Sequence, residues 1–393
     1  MKTRTLHPIN QLILIVFLFL SSAGFSQINV VPFNDGKPST DKDGIIYSLP
    51  RNVIQVQIEV VKTEIFKGPY ADFASKLLGI SDVITENSVG YEVGKVNLTT
   101  ISEIDPDQFY FIEIDDKVKD SRSLMVTYSE AGFISGFADI GQVKKEVRNA
   151  LVSGNFSNEN LKPFRDLLKP VLIEKVDTII RRISIDTTTI EEKVLKRSIS
   201  EKTPEQQARE VADLIYRIED NKFSLVTGYQ EVNYSRESLE FMLNQLNKME
   251  REYLSLFKGN IRKTSQQFTY YVTPESNKEG TLETVCRFSK TKGLSDKSTS
   301  GGESVSLIVT PLGQNKTIED FVKQRDQSSR KLHGFYYRIP EKTQVTLRVG
   351  GVPVAEEQMM ISQMGLITFL PAGNMSNVRF HPVNGTIISA VTE

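Results

Sequence analysis

The chain contains no tryptophan and only one cysteine, Cys286, in 393 residues. A single thiol excludes an internal disulfide, so the fold must be held by its own cores. Beyond residue 26 there are two histidines, His333 and His381, and neither has a partner ligand at zinc-site spacing. A G-x-S-x-G elbow, a phosphate-cradling loop and a dinucleotide fingerprint are also missing. No sign of charge dominates: with Lys2 and Arg4 set aside, 46 basic residues face 49 acidic ones, a net of −3. That balance gives no basic density for a nucleic-acid partner. The apolar run Leu12–Leu20 is nine residues long, and a membrane-crossing helix needs about 20. No transmembrane segment is expected.

What the N-terminus does hold is a positive start, that short apolar run and the small-residue exit "SSAGFSQ". These are the three parts of a secretory signal peptide, expected over 1–26 with cleavage near Gln27. No cysteine stands at the exit to take a lipid, so the expectation is an exported chain that is not a lipoprotein, placed in the periplasm or at the cell surface. Residues 27–44 are rich in Pro, Gly, Asp and Ser and read as a flexible leader. Asp41, Asp43 and Gly44 begin like a calcium loop but lack its later carboxylates.

Residues 45–200 read as a β-rich domain with one short helix. Ile54, Val56, Ile58 and Val60 alternate with Gln55, Gln57 and Glu59, a half-buried strand. Gly68 and Pro69 open the helix "YADFASKLL", which Gly79 closes. Asp105-Pro106-Asp107 reads as a turn between strands, and the glycines of "SVGYEVG" and "EAGFISG" read as bulges. "KVDTIIRRISIDTTTIEEKVL" suits an exposed strand or hairpin, being rich in β-branched residues. Residues 201–260 read as a helical hairpin. Thr203-Pro204-Glu205-Gln206 is a capping box, and Ala208, Val211, Ala212, Ile215 and Ile218 share one face. A second helix starts near Ser235 and stops at Gly259, its stripe expected to pack on the first helix and on a sheet. Residues 261–393 return to β-rich sequence, with Val383-Asn384-Gly385 as a hairpin turn. The fold class is therefore α+β, with two β-rich units joined by a long αα-hairpin.

A phrase recurs: "YSLP" before an alternating strand, "YYRIP" before another, and "TFLP" before a third. Proline lacks a donor and forces its predecessor into extended geometry, so Leu49, Ile339 and Leu370 should each end a strand at a corner. Inward residues fall at Ile54 and Val56 after Pro50 but at Val345 and Leu347 after Pro340. That one-residue slip swaps strand faces and argues against strict duplication.

Taken in order, "YSLP", "GPYADFASKLLGI", "TENS", "EKTPEQQA", "EYLSLFKG" and "YYRIP" resemble a family of exported Bacteroidetes proteins known only by a domain of unknown function. The resemblance spans nearly the whole chain after residue 26. It implies export and envelope residence and carries over no catalytic residue or cofactor. It also gives meaning to Asp177-Thr178-Ile179 and Asp186-Thr187-Thr188, which look like sites where such bacteria attach O-glycans; Thr178 and Thr187 are the candidates.

For chemistry, Cys286 alternates in phase with Leu282 and Phe288, which places it on an apolar strand face as an inert thiol instead of a nucleophile based on His333. Asp105, Asp107, Glu113, Asp115 and Asp116 cluster in sequence, and a glycosidase needs only two carboxyls. The expected function is a non-catalytic envelope protein binding an unknown envelope protein or glycan, through a sheet face, the hairpin stripe or the loop 298–302. The alternative is a periplasmic hydrolase using those acids. No cofactor, metal or catalytic residue is assigned.

Overall fold

The alternation after Pro50 does form a strand, and a longer one than the pattern marks. In the computed structural model the described residues are 29–33, 43–113, 124–129, 132–139, 164, 172–185, 188–229, 234–326, 334–371 and 375–392. Residues 1–26, Asp115, Asp116, Asp186, Thr187 and His333 lie outside them. The chain runs β1 (Asn29–Pro32), β2 (Gly44–Phe66), α1 (Ala74–Leu78), β3 (Ser88–Glu113), β4 (Leu124–Tyr128), β5 (Ile134–Asp139), β6 (Leu172–Ile185) and β7 (Thr188–Glu201). Two long helices follow, α2 (Pro204–Thr227) and α3 (Arg236–Lys258), then β8 (Asn260–Val272), β9 (Leu282–Ser289), β10 (Gly293–Ser295), β11 (Glu303–Pro311) and α4 (Lys316–Asp326). The chain closes with β12 (Gly334–Val349), β13 (Val352–Pro371), β14 (Met375–Phe380) and β15 (Ile387–Thr392).

The strands do not all pair within the two stretches that the sequence separates. One sheet orders β1-β3-β2-β8, with β8 arriving from beyond the helices; a second orders β10-β9-β11-β12-β13; a third, β15-β14-β5-β4, mixes early and late strands. Among the described residues β6 and β7 pair only with each other. An alternating pattern tells a strand which face is apolar and says nothing about its neighbour, so partners far apart in sequence were invisible to it.

Two prolines organise this arrangement. Ser48 pairs with Phe109 and Pro50 with Ile104, so 105–108 drop out of the β2–β3 ladder. Ile339 pairs with Leu366 and Glu341 with Ile361, so 362–365 drop out of the β12–β13 ladder. The ladder breaks at each proline as expected, but each strand runs on through the corner instead of ending there. Likewise Asp105-Pro106-Asp107 is a bulge within β3 and not a turn between strands. At the third motif β13 does end, at Pro371, and the chain enters the third sheet as β14.

The corners divide each ribbon between two cores. Beyond them, Ile54, Val56 and Ile58 of β2 and Val345 and Leu347 of β12 join Cys286, Val305 and Leu307 in the first core. Before them, Tyr47 and Leu49, Tyr110 and Ile112, and Phe335 pack with Ile134 and Val378 in the second. The aromatics of the two recurring phrases meet there: Tyr110 stacks on Tyr47 and Tyr336 at 5.2 and 4.6 Å between centroids, and the Tyr336 N–H donates to the Tyr47 hydroxyl at 2.9 Å.

A third apolar cluster joins α2 and α3 to residues 70–83. Ala208, Val211, Ala212 and Ile215 pack with Tyr70, Ala74, Leu256 and Phe257. Helix α2 carries its capping box, with Thr203 Oγ1 accepting from the Gln206 N–H and Gln206 Oε1 from the Thr203 N–H. Of the α3 stripe only Leu256 and Phe257 are fully buried. The buried members of this cluster come from the helices and 70–74, where the sequence had led us to expect a sheet.

Candidate functional site

Two polar constellations stand out, one buried at the corners and one open on a sheet face. At the corners, each bulge grips the other ribbon. Arg338, two residues before Pro340, donates Nη1–H to the Pro50 carbonyl at 2.7 Å and Nη2–H to Asp105 Oδ2 in the first bulge. Asn52, two residues after Pro50, accepts at Oδ1 from the Ser362 N–H of the second bulge at 2.7 Å. Its Nδ2 donates to the Val383 carbonyl and Ser102 Oγ, while its backbone N–H and C=O both engage the Gln363 amide. Arg338, Asp105 and Asn52 are all buried. Just beyond, the buried Glu341 carboxylate accepts the N–H groups of Gln314 and Asn315 ahead of α4, where a helix start favours negative charge. The predicted Asn-Gly turn closes the junction, with Gly385 at φ +70° against the Pro50 ring.

Of the acids singled out in the sequence, Asp105, Asp107 and Glu113 are among the described residues. Asp105 is committed to Arg338 and accepts the Asp107 N–H at 3.1 Å. Glu113 lies at the far end of β3, opposite Gly44 and Asn29. Asp105 and Glu113 thus stand eight residues apart along β3. Cys286 is fully buried, and burial pushes its thiol up to about 11, with the neighbouring Tyr270 hydroxyl pulling slightly the other way. A thiol so shifted holds almost no thiolate at neutral pH. His381 Nδ1 accepts the Val383 N–H within its own turn. Among the described residues no group of three or more His, Cys, Asp or Glu is placed to hold a metal. No described helix is long and apolar enough to cross a membrane. Thr178 is exposed on β6.

The open constellation lies on the solvent face of the first sheet. Inward residues of β2 fill the first core, so Gln55, Gln57 and Glu59 must face out. The register sets Gln57 beside Asn97 of β3 and Glu59 beside Gln267 of β8. Between Ile58 and Val60 the β2–β3 register slips, because Gly94 and Lys95 together oppose Glu59. This is one of the glycine bulges expected from "SVGYEVG", and a bulge bends its strand. The result is a groove of about 360 Å³ lined by Gln57, Glu59, Lys95, Asn97, Ser265 and Gln267. Asn97 Nδ2 and Gln267 Nε2 both donate to Gln57 Oε1, at 3.3 and 3.5 Å. One row along, Thr99 Oγ1 donates to Gln55 Oε1 at 3.1 Å, and Gln55 Nε2 reaches the exposed Tyr271 hydroxyl at 3.4 Å.

Chemically this face offers amides that both donate and accept, one carboxylate, one ammonium, hydroxyls and a phenol. It suits a hydroxyl-rich ligand held by hydrogen bonds. The sequence pattern showed Gln55, Gln57 and Glu59 pointing outward but could not show that Asn97 and Gln267, 40 and 210 residues away, complete the row. The clasp was missed altogether, although an arginine between Tyr337 and Ile339, in the aromatic and aliphatic stretch leading to Pro340, was its trace.

The family described as a domain of unknown function (DUF4831) matches residues 43–167 and 174–388. No curated protein matches the chain. No solved structure matches it.

Proposed function

The chain belongs to the DUF4831 family, and from that footing we propose that it is a non-catalytic protein of the cell envelope, exported by cleavage near Gln27, whose amide-lined groove binds a glycan. The observation that carries this reading is the row Asn97–Gln57–Gln267 with Glu59, Lys95 and Ser265 around it. Planar amides match vicinal hydroxyls in both donor and acceptor capacity, and the one acid and one base nearly cancel, which fits a neutral sugar chain. Tyr271, 61% exposed beside Gln55, adds a ring face at one end. The clasped Asp105 supports binding over hydrolysis, since a catalytic acid must reach its substrate.

Titration of the purified chain with soluble envelope polysaccharides is the test. Binding that falls at least tenfold in Gln57→Ala and Asn97→Ala, with unfolding unchanged, is expected. Equal binding by wild type and both variants, or none by any, would remove the groove from this role. Export is checked separately by N-terminal sequencing of the protein recovered from envelope fractions, expected to start near Gln27.

A further inference from the structure

The β6–β7 ribbon extends fourteen residues on each strand and, among the described residues, belongs to no larger sheet. Two strands alone are at best marginally stable in water. Residues directly opposite one another share a face, and the register pairs Leu172 with Glu201, Glu174 with Ile199, Val176 with Arg197, Thr178 with Leu195 and Ile180 with Lys193. One face therefore carries Leu172, Ile199, Val176, Leu195 and Ile180 as a zigzag that alternates strands without a gap. They are 61, 75, 51, 63 and 52% exposed. On the other face Lys175, Asp177, Lys196 and Arg181 interrupt the apolar residues.

Charge along the zigzag is graded. Glu201 and Glu174 stand at the end next to α2, while Arg197 and Lys193 lie progressively farther from it; beyond the zigzag Arg182 is paired with Glu191 opposite it. Such a gradient complements itself when reversed. We propose that this face is where two copies of the chain pair, ribbon on ribbon and antiparallel, about a two-fold axis at Val176. That axis sets Leu172 over the second copy's Ile180, Ile199 over its Leu195, Val176 over its Val176 and Glu201 over its Lys193. The contact is isologous, as a closed dimer requires. The one meeting of like charges, Arg197 with Arg197, is eased by Glu174 at 3.7 Å from each. Thr178 sits on the same face, so an O-glycan there would block the pairing.

Sedimentation velocity on the purified chain across a concentration series is the test. A monomer–dimer equilibrium is expected, weakened about tenfold or more by Leu195→Glu. Glu201→Lys should weaken it as well, and adding Lys193→Glu to that variant should restore it. Within one copy these two residues are eight ladder rows apart, so the rescue reads contact between copies and not local stability. A chain that stays monomeric, a dimer indifferent to these substitutions, or a dimer whose intact mass carries glycan on Thr178 would each overturn the proposal.

Discussion

Single residues at the corners carry more of this structure than their number would indicate. A buried ion pair offsets its desolvation only while both partners are present, so removing one leaves an uncompensated charge. Arg338→Met should lower stability by about 3–5 kcal/mol in urea unfolding, and pairing it with Asp105→Leu should recover much of that loss. A more exposed clamp sets the acid response. Lys62, then Arg262, hydrogen-bond the Glu64 carboxylate and hold it below its ordinary value of 4.5; the Glu64 Oε2 to Arg262 Nη2 distance is 2.6 Å. A carboxyl depressed in the folded state contributes stability that is complete above the unfolded value and disappears as pH falls through the folded one. Glu64→Gln should therefore lose stability at neutral pH and depend less on pH below about 4.5, as melting temperatures across pH 3–7 would show. Glu64 and Arg262 are cross-strand neighbours on β2 and β8. Neither residue's sequence context announces that pairing.

At the scale of elements, the two proline-kinked ribbons work only because the strands opposite them have slack. Residues 105–108 and 362–365 supply it. In the second bulge, a Cβ on Gly365 would lie 1.9 Å from the Ile339 carbonyl oxygen, so the backbones touch where no side chain fits. Gly365→Ala should cost about 1–3 kcal/mol by overpacking, read as a lower denaturant midpoint at unchanged slope. The helices and hairpins were legible from local signals. The capping box at Thr203, the left-handed Gly79 at φ 68° and the Asn-Gly turn each satisfy backbone groups within a few residues, so neighbouring sequence suffices to specify them. The bulges opposite the two prolines were not legible, because each is a relation between two strands and 105–108 reads equally well as a turn.

Across the whole molecule, strands from before and after the helices share the first and third sheets and both β cores. Neither side can complete a core alone. Thermal unfolding of the chain should therefore follow one cooperative transition, with calorimetric and van't Hoff enthalpies in agreement; two separate transitions would show that the early and late strands fold as independent units. The groove and the clasp belong to this scale as well, since Gln57 meets Gln267 and Arg338 meets Asp105 only after β8 and β12 have docked. Sequence by itself determined the single inert thiol, the strands and their inward faces, the capped helices and the places where proline must break a ladder, since all of these follow from local sterics and periodicity. Tertiary structure alone decided which strands are neighbours, that the two proline corners lock onto each other, and where amides gather on one face. Those depend on the burial of one ribbon against another across hundreds of residues, and no local pattern encodes that distance.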